Sequence, residues 1–131
     1  MNVSELLKAA AKVRGQSHAP YSGDQVGAAV LSSTTQCYTG VTVENASYGL
    51  TAGAVRAALA AMVAAGEQIC VNVAIAAEKA EAPDGETLQA IAEFGSPRTR
   101  LHLMDAAGGR IDTTLGELMP GLAPEPAADE D

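Results

Sequence analysis

The chain has 131 residues, which is enough for one domain with one core and too few for two ordinary domains. Its net charge of −8 argues against a nucleic-acid partner, because phosphates need Lys and Arg to neutralise them. No apolar run reaches membrane-spanning length, and the N-terminus has no basic segment leading into an apolar one, so the expectation is a soluble cytoplasmic protein with no membrane partner. Hydrophobic residues make up 47% but aromatics only 3%, so the core must be built from Ala, Val, Leu, Ile and Met. Small side chains bury little area each, which points to help from oligomerisation.

Leu6, Leu7, Ala10, Ala11 and Val13 form a helical stripe over residues 4–14, with Ser4 as the expected N-cap and Gly15 as the stop. His18-Ala19-Pro20-Tyr21-Ser22-Gly23 is a turn cluster, since Pro fixes φ and Gly permits positive φ. Val26 to Leu31 is a continuous small-apolar run that suits a strand buried on both faces. Cys37 to Val43 is its hairpin partner. Residues 52–65 are apolar almost throughout, with Arg56 the only charge, which predicts a helix buried on nearly all sides. Ile69 to Ala77 reads as a central strand. Asp84 is a fair N-cap for a helix running to Phe94. Leu101 to Met104 is strand-like, Gly108-Gly109 turns the chain into Ile111, where a weak strand or turn is expected, and 114–119 is a short helical turn. Cys37 and Cys70 sit in or beside apolar runs and read as buried free thiols. From residue 122 onward Pro, Ala and acids give an expected flexible tail, in which Glu125, Asp129, Glu130 and Asp131 carry charge.

The order α, β, β, α, β, α, β means an α/β sheet with helices on its faces, mixed rather than parallel because of the N-terminal hairpin. No phosphate loop, dinucleotide fingerprint or Ser-His-carboxylate constellation is present.

Six pieces of the chain occur in a telling order: Ala19-Pro20-Tyr21-Ser22, Val26-Gly27-Ala28-Ala29, Tyr38-Thr39-Gly40, Val43-Glu44-Asn45-Ala46-Ser47-Tyr48, Arg56, and Leu118-Met119-Pro120-Gly121. With them the chain resembles the small, homotetrameric type of cytidine deaminase over nearly its whole length. The resemblance implies a three-layer α/β/α sandwich on a five-stranded mixed sheet, formed by a single domain over 1–121. It also implies a homotetramer or homodimer with pockets at subunit interfaces.

In that family three cysteines hold zinc and a Glu shuttles protons. The matching positions here are Gly53, Asp84 and Thr87 for the ligands and Val55 for the Glu. An aromatic residue that stacks on the base matches Asp24, and an Asn that contacts the ribose matches Thr42. The Glu that accepts the ribose hydroxyl is kept as Glu44, and Ala54 is kept where the backbone meets the base.

These substitutions lead to the expectation of a zinc-independent protein, with no metal and no cofactor, that is not a deaminase. Acid/base chemistry on a nucleoside-derived or amine-bearing metabolite would take its place. Asp84 and Glu86 are the catalytic candidates. Asp24, Thr42, Glu44, Asn45, Gly53 and Ala54 are the substrate-binding candidates. The alternatives are a non-catalytic small-molecule binder or an inactive scaffold partner. Asp84 also has a plain structural reading as a helix cap, and Glu86 as a solvated first-turn residue.

Overall fold

The computed structural model describes residues 1–122. Helix α1 spans Val3–Arg14, and its cap is Asn2 rather than the expected Ser4. The Asn2 side chain accepts from the Glu5 N–H at 2.8 Å while Glu5 reaches back to the Asn2 N–H, so two otherwise orphaned donors are satisfied. Strands β1 (Gly27–Ser32) and β2 (Cys37–Val41) form the expected hairpin. A polar loop with one 3-10 turn at Tyr48–Leu50 leads into α2 (Ala54–Ala64). Then follow β3 (Cys70–Ala76), α3 (Gly85–Phe94), β4 (Arg100–Met104), β5 (Arg110–Thr114) and the single turn α4 (Leu115–Leu118). The weak strand expected near Ile111 is thus a full edge strand. The tail expected from residue 122 lies outside the described residues except for Leu122, which packs against the core.

The five strands run in the order β2-β1-β3-β4-β5. Among the described strands only the β3–β4 pair is parallel, so the sheet is mixed. Every residue of β1 is buried, as its unbroken apolar run requires. Alternation along the strands divides the core in two. Leu6, Leu7 and Ala10 of α1 pack on Ala29, Leu31, Ala74 and Ala76. On the opposite face, Val55, Leu59 and Met62 of α2 and Leu88 and Ile91 of α3 pack with Val30, Val73, Ile75, Leu101 and Leu103. This is the expected α/β/α sandwich.

Helix α2 corrects one expectation. Ala54, Val55, Ala58, Leu59 and Met62 are buried, but Arg56, Ala60, Ala61, Val63 and Ala64 face outward. A helix of alanines carries its apolar character all round whichever side meets the sheet, so composition could not tell the two sides apart.

Two glycines allow the layers to approach. A Cβ on Gly27 would stand 2.8 Å from the Arg14 Cα and nearer still to the Ala10 carbonyl oxygen, so α1 rests directly on β1. Gly40 of β2 plays the same part under α2. Cys37 and Cys70 are free thiols, and burial pushes Cys70 up to about 12.

A polar cross-link ties β3, β4 and β5. His102 is 2% exposed, with Nδ1 2.7 Å from Asp112 Oδ1 and Nε2 2.9 Å from Asn72 Oδ1. The His102 hydrogen bond, helped by Arg110, holds Asp112 below the usual carboxylate range.

Two tests follow from the packing and the cross-link. Gly27→Ala should lower stability by about 1–3 kcal/mol, because its new methyl meets helix backbone rather than a yielding side chain; thermal unfolding measures it. A carboxylate with a depressed pKa contributes stability that is present above its unfolded value of about 4 and is lost as pH falls through the folded value. Asp112→Asn should therefore make the fall of melting temperature between about pH 4 and pH 2 shallower. The change should be small, since the Asp112 side chain is half exposed.

Candidate functional site

The loop after β2 is pinned at both ends. Val43 and Ala52 exchange backbone hydrogen bonds of 2.9 and 2.8 Å, which closes residues 44–51 into a loop. On the other side the Glu44 N–H donates to the His18 carbonyl at 2.7 Å and the His18 N–H to the Thr42 carbonyl at 2.9 Å. These bonds bring the Pro20 turn against Glu44. The Glu44 carboxylate then accepts from the Tyr21 N–H at 3.0 Å, the Ser22 N–H at 3.2 Å and the Ser22 hydroxyl at 2.5 Å. The Ser22 hydroxyl, first, and the two backbone donors hold the Glu44 carboxyl below the usual range, so it is an anion at neutral pH.

Glu44 borders a cleft of about 730 Å³. Asp24, Val26, Thr42 and Glu44 form one wall, and Gly53, Ala54 and Val55 at the start of α2 form another. The floor is Ile75 and Leu103 of the parallel pair. The cleft thus lies beyond the C-terminal ends of parallel strands, where open α/β sheets take ligands. Glu78, Lys79, Glu81, Asp84 and Thr87 complete it from the segment between β3 and α3.

Of the residues expected from sequence, Asp24, Thr42, Glu44, Gly53, Ala54 and Asp84 all line the cleft. Two do not. The Asn45 side chain turns back to accept from the Ser47 N–H at 2.9 Å. Glu86 stands exposed on the first turn of α3, away from the lining. Asp84 caps α3, accepting from the Thr87 N–H at 2.8 Å, while still bordering the cleft.

Sequence reasoning missed Glu78, Lys79 and Glu81. The signal was present in a short charged run straight after a strongly apolar strand. Lys79 is the only cation among the lining residues, against the carboxylates of Asp24, Glu44, Glu78, Glu81 and Asp84. At the start of α2, Gly53 is an N-cap with no side-chain hydrogen bond, so first-turn N–H groups are free to meet a ligand.

A five-stranded mixed sheet between helices is an architecture this chain shares with solved cytidine deaminases. The match to the family described as "Cytidine and deoxycytidylate deaminase zinc-binding region" covers residues 1–89. The cytidine deaminase of Halalkalibacterium halodurans is 36% identical over 123 residues, 92% of this chain and 93% of that one. The cytidine deaminase of Sporosarcina psychrophila is 34% identical over 92% of this chain and 90% of its own length. The crystal structure of cytidine deaminase from Burkholderia pseudomallei superposes with a TM-score of 0.86 at 35% identity, covering 90% of this chain and 96% of that one. The chain belongs to the cytidine and deoxycytidylate deaminase family.

These findings correct the functional expectation drawn from single positions. A zinc-independent protein that is not a deaminase, repurposed for other acid/base chemistry or reduced to a binder or scaffold, is overturned. The family it matches is a zinc-binding deaminase one, and relatives spanning nine-tenths of the chain are named cytidine deaminase. The residue identities at the cleft stand; the function inferred from them does not.

Replacing Glu44 with Gln should free the Tyr21–Ser22 turn, since an amide oxygen is a weaker acceptor for three donors than a carboxylate. Amide exchange at Tyr21 and Ser22 should quicken in the variant. In the parent chain the turn should hold as pH falls through the usual Glu range near 4.3 and loosen only below it, because the folded value is depressed.

Proposed function

We propose that this chain binds a cytidine-type nucleoside in the cleft and serves cytidine deamination, the activity its relatives are named for. The observation that carries the reading is the whole-length similarity to cytidine deaminases, at 36% identity over 92% of the chain. The geometry around Glu44 supports it. Glu44 is a pre-oriented anion on the cleft wall, suited to accept from a ribose hydroxyl. The free N–H groups at the start of α2 suit a base carbonyl. Thr42 lies beside Glu44 and adds a hydroxyl.

The working form proposed is a homotetramer or homodimer with clefts at its interfaces. Tyr48 at 89% and Leu50 at 71% exposure, on the loop beside the cleft, support that reading, since apolar groups so open gain from a second copy.

Zinc is the family's metal, and the residues at its three matching positions do not fit it. Gly53 brings no side chain, Asp84 brings one carboxylate whose Oδ1 accepts from the Thr87 N–H, and Thr87 brings a neutral hydroxyl. A zinc site takes at least three thiolate, imidazole or carboxylate donors, and these positions supply a single carboxylate. Among the described residues no three of His, Cys, Asp and Glu converge to hold a metal. No step is therefore routed through a metal here. What this chain's own groups do is bind and orient the nucleoside.

The test is an assay for uridine and ammonia from cytidine, run beside calorimetry and a measurement of zinc per chain. Saturable cytidine binding with uridine formation is expected. Glu44→Gln should weaken binding roughly ten- to hundredfold, as expected for a lost hydrogen bond to a charged group. Binding without uridine would remove the reaction and leave the site; neither binding nor uridine would sink the proposal as a whole. A Cβ on Gly53 meets nothing within 4 Å, so Gly53→Cys with Asp84→Cys and Thr87→Cys fits without strain at that position. The triple variant should carry more zinc than the parent chain, and equal zinc in the two would count against the matching of these positions.

A further inference from the structure

Gly40 lies in β2 on the face that α2 covers, two residues before Thr42 of the cleft wall. A Cβ on Gly40 would stand 2.9 Å from the Ala57 carbonyl carbon, and closer still to the Ala54 carbonyl oxygen and the Ala58 nitrogen. All three are helix backbone atoms. No rotamer change relieves such a conflict, so either the helix or the strand must move. The helix concerned is the one whose start forms a cleft wall through Gly53, Ala54 and Val55.

We infer that Gly40 is a positioning residue for the nucleoside cleft: its missing side chain lets α2 rest backbone-to-backbone on β2, which sets how far the start of α2 stands from Glu44. The inference rests on the nucleoside reading of the cleft. The Glu44 carboxylate is held by Tyr21 and Ser22, while its neighbour Val43 is paired with Ala52 just before α2. A displacement of α2 strains the Val43–Ala52 pair against the Tyr21–Ser22 anchor and so changes the span between the start of α2 and the Glu44 carboxylate. A rigid nucleoside touching both walls cannot follow such a change, because hydrogen bonds weaken steeply with geometry.

A control glycine exists at the other end of the sheet. A Cβ on Gly95 would collide with the Thr99 side chain and lie 3.1 Å from the Ile91 carbonyl oxygen. That region borders a second hollow, formed by residues such as Cys70, Phe94 and Thr99 at the start of β3, far from the cleft residues at its end.

The experiment compares Gly40→Ala and Gly95→Ala by thermal unfolding and by cytidine calorimetry at a temperature where circular dichroism shows each folded. Both should melt lower than the parent chain. Gly95→Ala should keep cytidine affinity within about twofold, while Gly40→Ala should lose at least about tenfold, since 1.4 kcal/mol corresponds to a factor of ten. A Gly40→Ala variant that binds like the parent overturns the positioning role. Hydrogen exchange on the parent chain keeps the inference open to refutation if Gly40→Ala does not fold. The first-turn amides of Ala54, Val55 and Arg56 should gain protection when cytidine is added, and cytidine binding with no protection there overturns it. Absence of binding by the parent chain overturns the nucleoside reading and the positioning role with it, whereas binding with an indifferent Gly40→Ala overturns the positioning role alone.

Discussion

The constraint on which the structure depends is how closely its helices lie on its sheet. With 3% aromatics the chain cannot fill wide gaps between layers, so the layers must touch. Gly27 under α1 and Gly40 under α2 allow backbone to meet backbone, on opposite faces of neighbouring strands. Alanines carry the rest: Ala28, Ala29, Ala58 and Ala74 are wholly buried. A core of this kind gains stability from many short-range contacts rather than from a few large side chains. Its tolerance for an added methyl is correspondingly low at the contact points.

The cleft follows from that closeness. Because α2 is held tight on β1 and β2, its start stands fixed beside the end of β3, and the β2–α2 loop must fold over a short span. The Val43–Ala52 backbone pair and the Glu44 carboxylate accomplish this. Glu44 thus serves two ends. It is the acceptor that knits the Pro20 turn to the loop, and it is an anion on the cleft wall. The loop is polar because its donors and acceptors satisfy one another rather than a ladder of strands.

Much of the fold was legible in the sequence because the chain obeys local rules. The unbroken apolar run of β1 announces burial on both faces, and Asp84 caps α3 as its residue type suggests. The failures have physical causes. Asn2 outranked Ser4 as a cap because the capping box needs a Glu or Gln three residues on, which Glu5 supplies for Asn2 while Leu7 stands in that place for Ser4. Strand β5 read as weak because an exposed edge strand such as Arg-Ile-Asp-Thr-Thr lacks a hydrophobic pattern, and its register is held by the His102–Asp112 contact. At the cleft, Glu78, Lys79 and Glu81 carry no sequence signal of periodicity because they lie in a loop, and Glu86 and Asp84, though close in sequence, face different ways at a helix start.

Stability constrains the ligand-matching positions of the cleft far less than it constrains its frame. Gly53 is an N-cap with extended backbone and open space around its Cβ direction, so a change of residue there leaves the packing untouched. Val55 is 3% exposed, and an apolar side chain at that place adds to the core rather than straining it. Thr87 keeps the N–H that Asp84 accepts, whatever side chain it bears. Gly40 and Glu44 are different, since altering either shifts backbone that many other residues rest on. The frame of the cleft is therefore written into residues on which neighbouring backbone rests, whereas Gly53 and the Thr87 side chain tolerate change. For that reason similarity over the full length is a firmer guide to the family than any single position.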